Sequence, residues 1–179
     1  MDISTSDRIL EELETAKSQI SQKQICALAK RIEQYDRVFV CGTGRTGLML
    51  KAFAMRLMQM GGCPYVIGET ITPAIQPGDL LLAASASGTT GIVCDHVRYA
   101  VEHGIDTAVI TGCTDSPLTA MTPPDLLICA GHKNQESGVQ PMGSLFEQML
   151  LIALDSVILE LVEKTGDSNA MRTRHANLE

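Results

Sequence analysis

The spacing of hydrophobic positions switches between a helical and a strand-like pattern along the chain. Ile9, Leu10, Leu13, Ala16 and Ile20 recur at helical spacing behind a Ser/Thr-rich start. Ile25, Leu28, Ala29 and Ile32 repeat that pattern, so opening helices are expected within residues 5–34. The apolar positions that follow are contiguous instead of periodic. Val38-Phe39-Val40-Cys41 runs into Gly42, Leu80-Leu81-Leu82-Ala83-Ala84 into a Ser/Gly turn, and Thr107-Ala108-Val109-Ile110 into Thr111-Gly112. Leu126-Leu127-Ile128-Cys129 ends at Ala130-Gly131, and Tyr65-Val66-Ile67 before Gly68 is a shorter member of the series. Short continuous apolar runs stopped by glycine are the pattern of strands buried on both faces, as in a parallel sheet.

Helix-length segments separate these runs. Residues 48–60 and 92–103 each end at a glycine, Gly61 and Gly104, suited to a left-handed helix cap. Alternating strands and helices predict an α/β fold: a doubly wound five-stranded parallel sheet with helices on both faces. Residues 143–164 are the longest helix candidate, and their apolar side chains, from Leu145 and Phe146 to Leu161 and Val162, fill more than one stripe. Such a helix is expected in the core and against other subunits. Glu147, Asp155 and Glu160 interrupt it, which argues against a membrane span of about 20 apolar residues. Without a linker, repeat or low-complexity stretch, the expected organisation is one domain over residues 1–179, with N-terminal helices at 5–34 and a C-terminal tail at 166–179.

Composition then removes whole classes of partner. Hydrophobic residues make up 45% and charged residues 20% of the 179, which is ordinary globular usage. Aromatic content is 3% with no Trp, and the net charge is −7, so the chain lacks the stacking surface and basic face of a nucleic-acid binder. A small anion is not excluded, because screening confines exposed charges to about 8 Å at physiological salt. The six cysteines (Cys26, Cys41, Cys63, Cys94, Cys113, Cys129) are scattered, without C-x-x-C or a histidine at metal-ligand spacing, so buried free thiols and no metal are expected. The polar, helix-patterned N-terminus lacks the apolar core of a signal peptide, and a cytoplasmic location is expected.

Two loops carry candidate chemistry. Gly42-Thr43-Gly44-Arg45-Thr46-Gly47 follows a strand and opens a helix, so backbone N–H groups and the positive helix end converge where an anion can sit. The same residues satisfy G-x-G-x-x-G, and Glu69 lies 22 residues past Gly47, near the place of a ribose-binding acid. Ser85-Ala86-Ser87-Gly88-Thr89-Thr90 ends the next long strand and is dense in hydroxyl and backbone donors, with Gly88 permitting close approach. Parallel strands set such loops side by side at the edge where open α/β sheets bind ligands. Two donor-rich loops suit one phosphate and its polyol better than a pyrophosphate. One Ser/Thr cluster is commonly just a turn or helix cap; two at equivalent strand ends point to a ligand.

A resemblance now becomes specific. The Gly42–Gly47 run, Phe53-Ala54-Met55-Arg56-Leu57, Val66-Ile67-Gly68-Glu69-Thr70 with Thr72-Pro73, Ser85-Ala86-Ser87-Gly88, Pro141-Met142-Gly143 with Phe146-Glu147, and Arg174-His175-Ala176-Asn177-Leu178 together resemble the 6-phospho-3-hexuloisomerases. That family belongs to the sugar-isomerase (SIS) domain group, and the likeness runs from about Arg37 to the C-terminus. It implies interconversion of 3-hexulose 6-phosphate and fructose 6-phosphate in formaldehyde assimilation, the ribulose monophosphate pathway. It also implies no cofactor and no metal, and self-association as a homotetramer.

The site residues carried over by the resemblance are few. Ser85, Ser87 and Thr90 correspond to phosphate-binding hydroxyls, and Gly44 and Arg45 to the loop lining the sugar. Ala86 and Thr89 depart from the Gly or Gln and the Glu or Arg common at those positions. Glu147 corresponds to the base that removes the C2 proton beside the C3 carbonyl; on its residues alone it reads equally well as a helix N-terminal acid favouring the macrodipole. His175, in the basic run Arg172-Thr173-Arg174-His175, corresponds to a group that moves protons between sugar oxygens and aids ring opening, in its own subunit or a neighbour. Without the resemblance it reads as an exposed tail histidine.

Two other functions stay open from sequence: a non-catalytic sugar-phosphate-binding SIS module, and a dinucleotide-binding oxidoreductase. Arg56 lies about 16 Å along a helix from Arg45 and is expected at an interface or second site, with Lys51 a solvated charge. His96, His103 and His132 show no partner pattern, and Met55, Met58 and Met60 read as core or interface filling. The polar segment 131–138 is either a lid or a surface loop.

Overall fold

The computed structural model describes residues 3–130, 138–165 and 168–178. Two helices open the chain, α1 (Thr5–Lys17) and α2 (Gln22–Ile32). Each begins at a serine whose hydroxyl accepts an N–H of the first turn, Ser4 from Asp7 and Ser21 from Gln24. These caps satisfy donors that have no partner inside the helix. There follow β1 (Arg37–Cys41), α3 (Gly44–Gln59), β2 (Cys63–Val66), β3 (Leu80–Ser85), α4 (Gly91–Glu102), β4 (Asp106–Thr111), α5 (Pro117–Met121), β5 (Leu126–Leu127), α6 (Ser144–Thr165) and α7 (Ser168–Thr173).

The strands form one parallel sheet in the order β2-β1-β3-β4-β5. The chain steps outward from β1 to β2, then returns to place β3 on the other side of β1. That reversal leaves the C-terminal ends of β1 and β3 side by side, with Cys41 opposite Ala83, and creates the crevice where open α/β sheets bind ligands.

Alternate residues of each strand face opposite layers. Val38, Val40, Leu80, Leu82, Ala108 and Ile110 pack under α1, α2, α3 and α6, whereas Phe39, Cys41, Leu81, Ala83 and Val109 pack under α4 and α5. Burial on both faces explains why β3 reads as an unbroken apolar run. Helix α6 supplies Phe146, Met149, Leu150, Ala153, Leu154, Val157, Ile158 and Leu161 to the core, each burial of this kind stabilising the fold by about 1.5–3 kcal/mol for the larger side chains. It lies beside α3, and the Arg45–Glu147 approach puts the starts of these two helices at the same edge of the sheet.

Polar anchors close the opposite edge. Arg37 donates from Nε and Nη2 to Asp79 at 2.7 and 2.5 Å while its guanidinium lies 5.4 Å from the Phe39 ring centroid. Burial alone would raise the Asp79 carboxyl, but hydrogen bonds from Arg37 and the Gln76 N–H, with the Arg37 charge, hold it below its ordinary value. Arg31 pairs with Asp125, whose other oxygen accepts the Val109 N–H at 2.9 Å, tying α2 to β4 and β5.

Several elements differ from the sequence reading. Helix α3 begins at Gly44, not residue 48, so the glycine-rich run supplies its first turn. Helices α5 and α7 were not anticipated, and β5 is a two-residue pairing. The expectation of buried thiols holds for Cys41 and Cys94 but not for Cys63 and Cys129, which are exposed. Cys63 starts the edge strand β2 and Cys129 follows the opposite edge strand, where the helical layers no longer cover the sheet. Among the described residues no helix is long and apolar enough to cross a membrane.

Candidate active site

The crevice is walled by three segments, each held by a different element. The first is the turn from β1 into α3. Thr43 is extended and makes no side-chain cap, so the first N–H groups of α3 are left for a ligand.

The second wall is the turn from β3 into α4. Ser85 Oγ lies 2.9 Å from Thr90 Oγ1 and accepts the Gly88 N–H at 3.2 Å, which folds the loop back on itself. Ser87 Oγ lies 2.8 Å from Thr89 Oγ1. Gly88 adopts φ +65°, a left-handed conformation that glycine takes without steric cost. The Ser87 and Thr90 N–H groups have no hydrogen-bond partner among the described residues.

The third wall is the start of α6. Ser144 Oγ donates to Pro141 O at 2.8 Å, and the Glu147 N–H donates to Gly143 O at 3.1 Å. A Cβ at Gly143 would stand 3.7 Å from Glu147 Oε1, an ordinary van der Waals contact, so this residue lies against the carboxylate without crowding it. Met142, just before it, has φ +61°, the one positive value outside glycine among the described residues.

These walls enclose a cleft of about 270 Å³ lined by Thr43, Gly44, Arg45 and Thr46, by residues of the Ser85–Thr90 loop, and by Gly143 and Glu147. Glu147 is buried at 9% exposure. Arg45 Nε approaches Glu147 Oε2 to 2.5 Å, but its N–H is not aimed at that oxygen, and among the described residues Oε2 accepts no hydrogen bond. Removing a carboxylate oxygen from water without a hydrogen bond costs about 1–3 kcal/mol or more, so this atom gains from any donor or proton a ligand brings.

Of the residues singled out from sequence, Gly44, Arg45, Ser85, Ser87, Thr90 and Glu147 come together here. Gly88 shapes the loop without lining the cleft. His175 does not join them within one chain. Its neighbour Arg174 donates to Gln59 O at 3.2 Å, at the far end of α3, a helix whose 16 residues span about 24 Å. His175 itself is exposed and meets Ala176 O at 3.0 Å.

The other polar residues have separate partners. Glu69, the candidate ribose acid, pairs with Lys51 at 2.5 Å beside the glycine-rich turn; both side chains are half exposed, so Lys51 is the solvated charge expected, with Glu69 as its partner. Arg56 donates to Gln59 Oε1 at 2.8 Å, remote from the cleft. His96 Nδ1 lies 3.1 Å from Cys41 Sγ, a thiol that burial pushes up to about 12 and keeps unreactive. Residues 131–137, most of the candidate lid, and His132 lie outside the described residues. Sequence reasoning missed Thr43, Thr46 and Gly143 as lining; the signal for Gly143 was its place one helical turn before Glu147.

The fold agrees with comparison to known proteins. The family model for the SIS domain matches residues 31–155. The chain belongs to the SIS domain family. Over 177 residues it is 41% identical to the 3-hexulose-6-phosphate isomerase of Bacillus subtilis (strain 168), covering 96% of this chain and 95% of that protein. Identity to the 3-hexulose-6-phosphate isomerase of Mycobacterium gastri is 40% over 175 residues, 96% of this chain and 88% of the other. A Methanococcus jannaschii protein whose crystal structure led to an inferred function of 3-hexulose-6-phosphate isomerase matches with TM-score 0.78 and 32% identity, covering 98% of this chain and 97% of that one.

Proposed function

We propose that this chain interconverts 3-hexulose 6-phosphate and fructose 6-phosphate by proton transfer through an enediol, as a single-domain enzyme of formaldehyde assimilation in the cytoplasm. The observation that carries this reading is Glu147: a buried carboxylate whose Oε2 meets the Arg45 guanidinium but accepts no hydrogen bond among the described residues, in the same cleft as a hydroxyl-rich loop whose Ser87 and Thr90 N–H groups have no partner among those residues. The family likeness supplies the substrate.

In this reading the Ser85, Ser87 and Thr90 hydroxyls and the Ser87 N–H hold the phosphate, while Gly44 and Arg45 border the sugar. Glu147 takes the C2 proton; the C–H pair becomes the C2=C3 bond and the carbonyl pair moves to O3, which gains a proton. O2–H then loses its proton, C2=O2 forms, and Glu147 returns its proton to C3. A general base so placed typically contributes about 10²–10⁴-fold in rate. Arg45 stabilises negative charge that develops on the sugar oxygens.

His175 transfers the oxygen-bound protons, acting in the cleft of a neighbouring subunit. Its place at the far end of α3 supports that arrangement. So do exposed apolar side chains on the adjacent helices α3 and α6, among them Leu48, Met55, Ile152 and Leu159, which favour self-association as a homotetramer. The test is direct. By carbon-13 NMR the protein is expected to convert fructose 6-phosphate partly into a second hexulose phosphate without added metal or nucleotide, and Glu147→Gln is expected to abolish conversion; wild-type protein that leaves fructose 6-phosphate unchanged refutes the proposal.

A further inference from the structure

We infer that the turn between β4 and α5 is a positioning element for the Ser85–Thr90 loop, acting through Ser116. The inference rests on reading that loop as the phosphate site.

Three contacts join the two segments. The Gly112 N–H donates to Ala86 O at 3.0 Å, and the Leu118 N–H donates to Gly88 O at 3.1 Å. Between them Ser116, buried at 8% exposure, fills the space beneath Gly88: a Cβ at Gly88 would lie 2.1 Å from Ser116 Oγ and 2.6 Å from Ser116 Cβ. Glycine at 88 is therefore required twice, by its left-handed φ and by the serine under it.

The consequence for the ligand follows from peptide geometry. In a trans peptide the C=O of one residue and the N–H of the next point in opposite directions, and the described chain contains no cis bond. Holding Ala86 O towards Gly112 turns the Ser87 N–H the other way, to the side where Ala86 and Ser87 line the cleft. That N–H, like the Thr90 N–H, has no partner among the described residues. The β4–α5 turn thus aims a donor it never touches.

The brace is itself stiff. Ser116 Oγ accepts the Thr119 N–H at 3.2 Å, Thr119 Oγ1 accepts the Ser116 N–H at 2.9 Å, and Pro117 fixes the first helical residue of α5. Helix α5 is five residues long, too short to stand on its own periodicity, so its capping box and its bond to Gly88 O define its place.

A serine that only capped α5 would affect stability and not ligand affinity. Glycine caps a helix nearly as well as serine but leaves the space under residue 88 empty, so Ser116→Gly separates the roles. Affinity for inorganic phosphate and for fructose 6-phosphate would be measured by calorimetry at fixed ionic strength, with KM, kcat and melting temperature, for wild type, Gly88→Ala, Ser116→Gly and the double variant. Gly88→Ala is expected to weaken both ligands by well over about tenfold, from the overlap with Ser116 added to the strain of a left-handed alanine. Ser116→Gly is expected to raise KM roughly threefold to tenfold while kcat stays within about twofold, the mark of a loop loosened before chemistry. Adding Ser116→Gly to Gly88→Ala is expected to recover about tenfold in affinity, because the overlap at residue 88 is relieved. Additive losses in the double variant, or a Ser116→Gly protein with lowered melting temperature and wild-type KM, overturn the brace. If Gly88→Ala does not fold, the KM of Ser116→Gly and of Ser116→Ala, which retains the Cβ, decides. Wild-type protein that binds neither ligand overturns the phosphate-loop reading and this inference together, whereas binding without isomerisation overturns only the catalytic reading and leaves the affinities to judge the brace.

Discussion

Arg45 Nε lies 2.5 Å from Glu147 Oε2, joining the first turn of α3 to the first turn of α6 across the cleft. The pair is unequal. Glu147 is 12% exposed at its side chain and Arg45 57%, so the carboxylate is fixed by its surroundings and the guanidinium is free to leave. Solvent screening on the Arg45 side limits the pair to about 0–1 kcal/mol of stability. A bound sugar phosphate offers Arg45 stronger charge and oxygen acceptors.

Arg45→Gln is therefore expected to fold with a near-wild-type melting temperature but to lose about 10–100-fold in kcat/KM, the scale of one hydrogen bond from a charged group. Steady-state kinetics and differential scanning calorimetry on the same preparation check this. A large fall in melting temperature with little kinetic effect would place Arg45 in the scaffold instead.

The position of the tail leads to a complementation test. His175→Ala and Glu147→Gln are each expected to be nearly inactive alone. Coexpressed, they are expected to regain activity, because a cleft with an intact Glu147 then receives an intact His175 from a different chain. Activity that stays at the level of the single variants in verified mixed oligomers would contradict action in trans.

Asp79 gives the pH dependence of the scaffold. Its carboxyl is held below the ordinary value of 3.8 in the folded state by Arg37 and the Gln76 N–H. A depressed folded value means that the contribution is fully present above the unfolded carboxylate range and is lost as pH falls through the folded value. Asp79→Asn is thus expected to melt well below wild type at pH 7, with the gap closing as the pH is lowered through and below about 4. A gap that does not change with pH would show that the lost interaction is packing and not charge.

How much of this could be read from sequence depends on how local each feature is. The strands were legible because burial on both faces leaves contiguous runs such as Leu80–Ala84, and α6 because its apolar residues overfill one stripe. The glycine caps at Gly61 and Gly104 both carry positive φ, as their places behind apolar segments suggested. Helix α5 escaped because five residues hold little more than one turn of periodicity; only Ser116-Pro117 with Thr119 announced it. The loops of the cleft were legible as donor-rich strand ends, but the Arg45–Glu147 approach and the fit of Ser116 under Gly88 join residues far apart in the chain, and no local spacing encodes them. The exposure of Cys63 and Cys129 likewise follows from strand order, which places their strands at the sheet edges.

The central claim is that Glu147 exchanges a proton with carbon, and isotope incorporation reads that event itself. Fructose 6-phosphate incubated with the protein in deuterated water is expected to acquire deuterium at C3, seen by proton NMR and mass spectrometry, with Glu147→Gln slowing incorporation by about 10²–10⁴-fold at unchanged phosphate affinity. Absence of carbon-bound deuterium with wild-type protein, or undiminished incorporation with Glu147→Gln, would contradict the account.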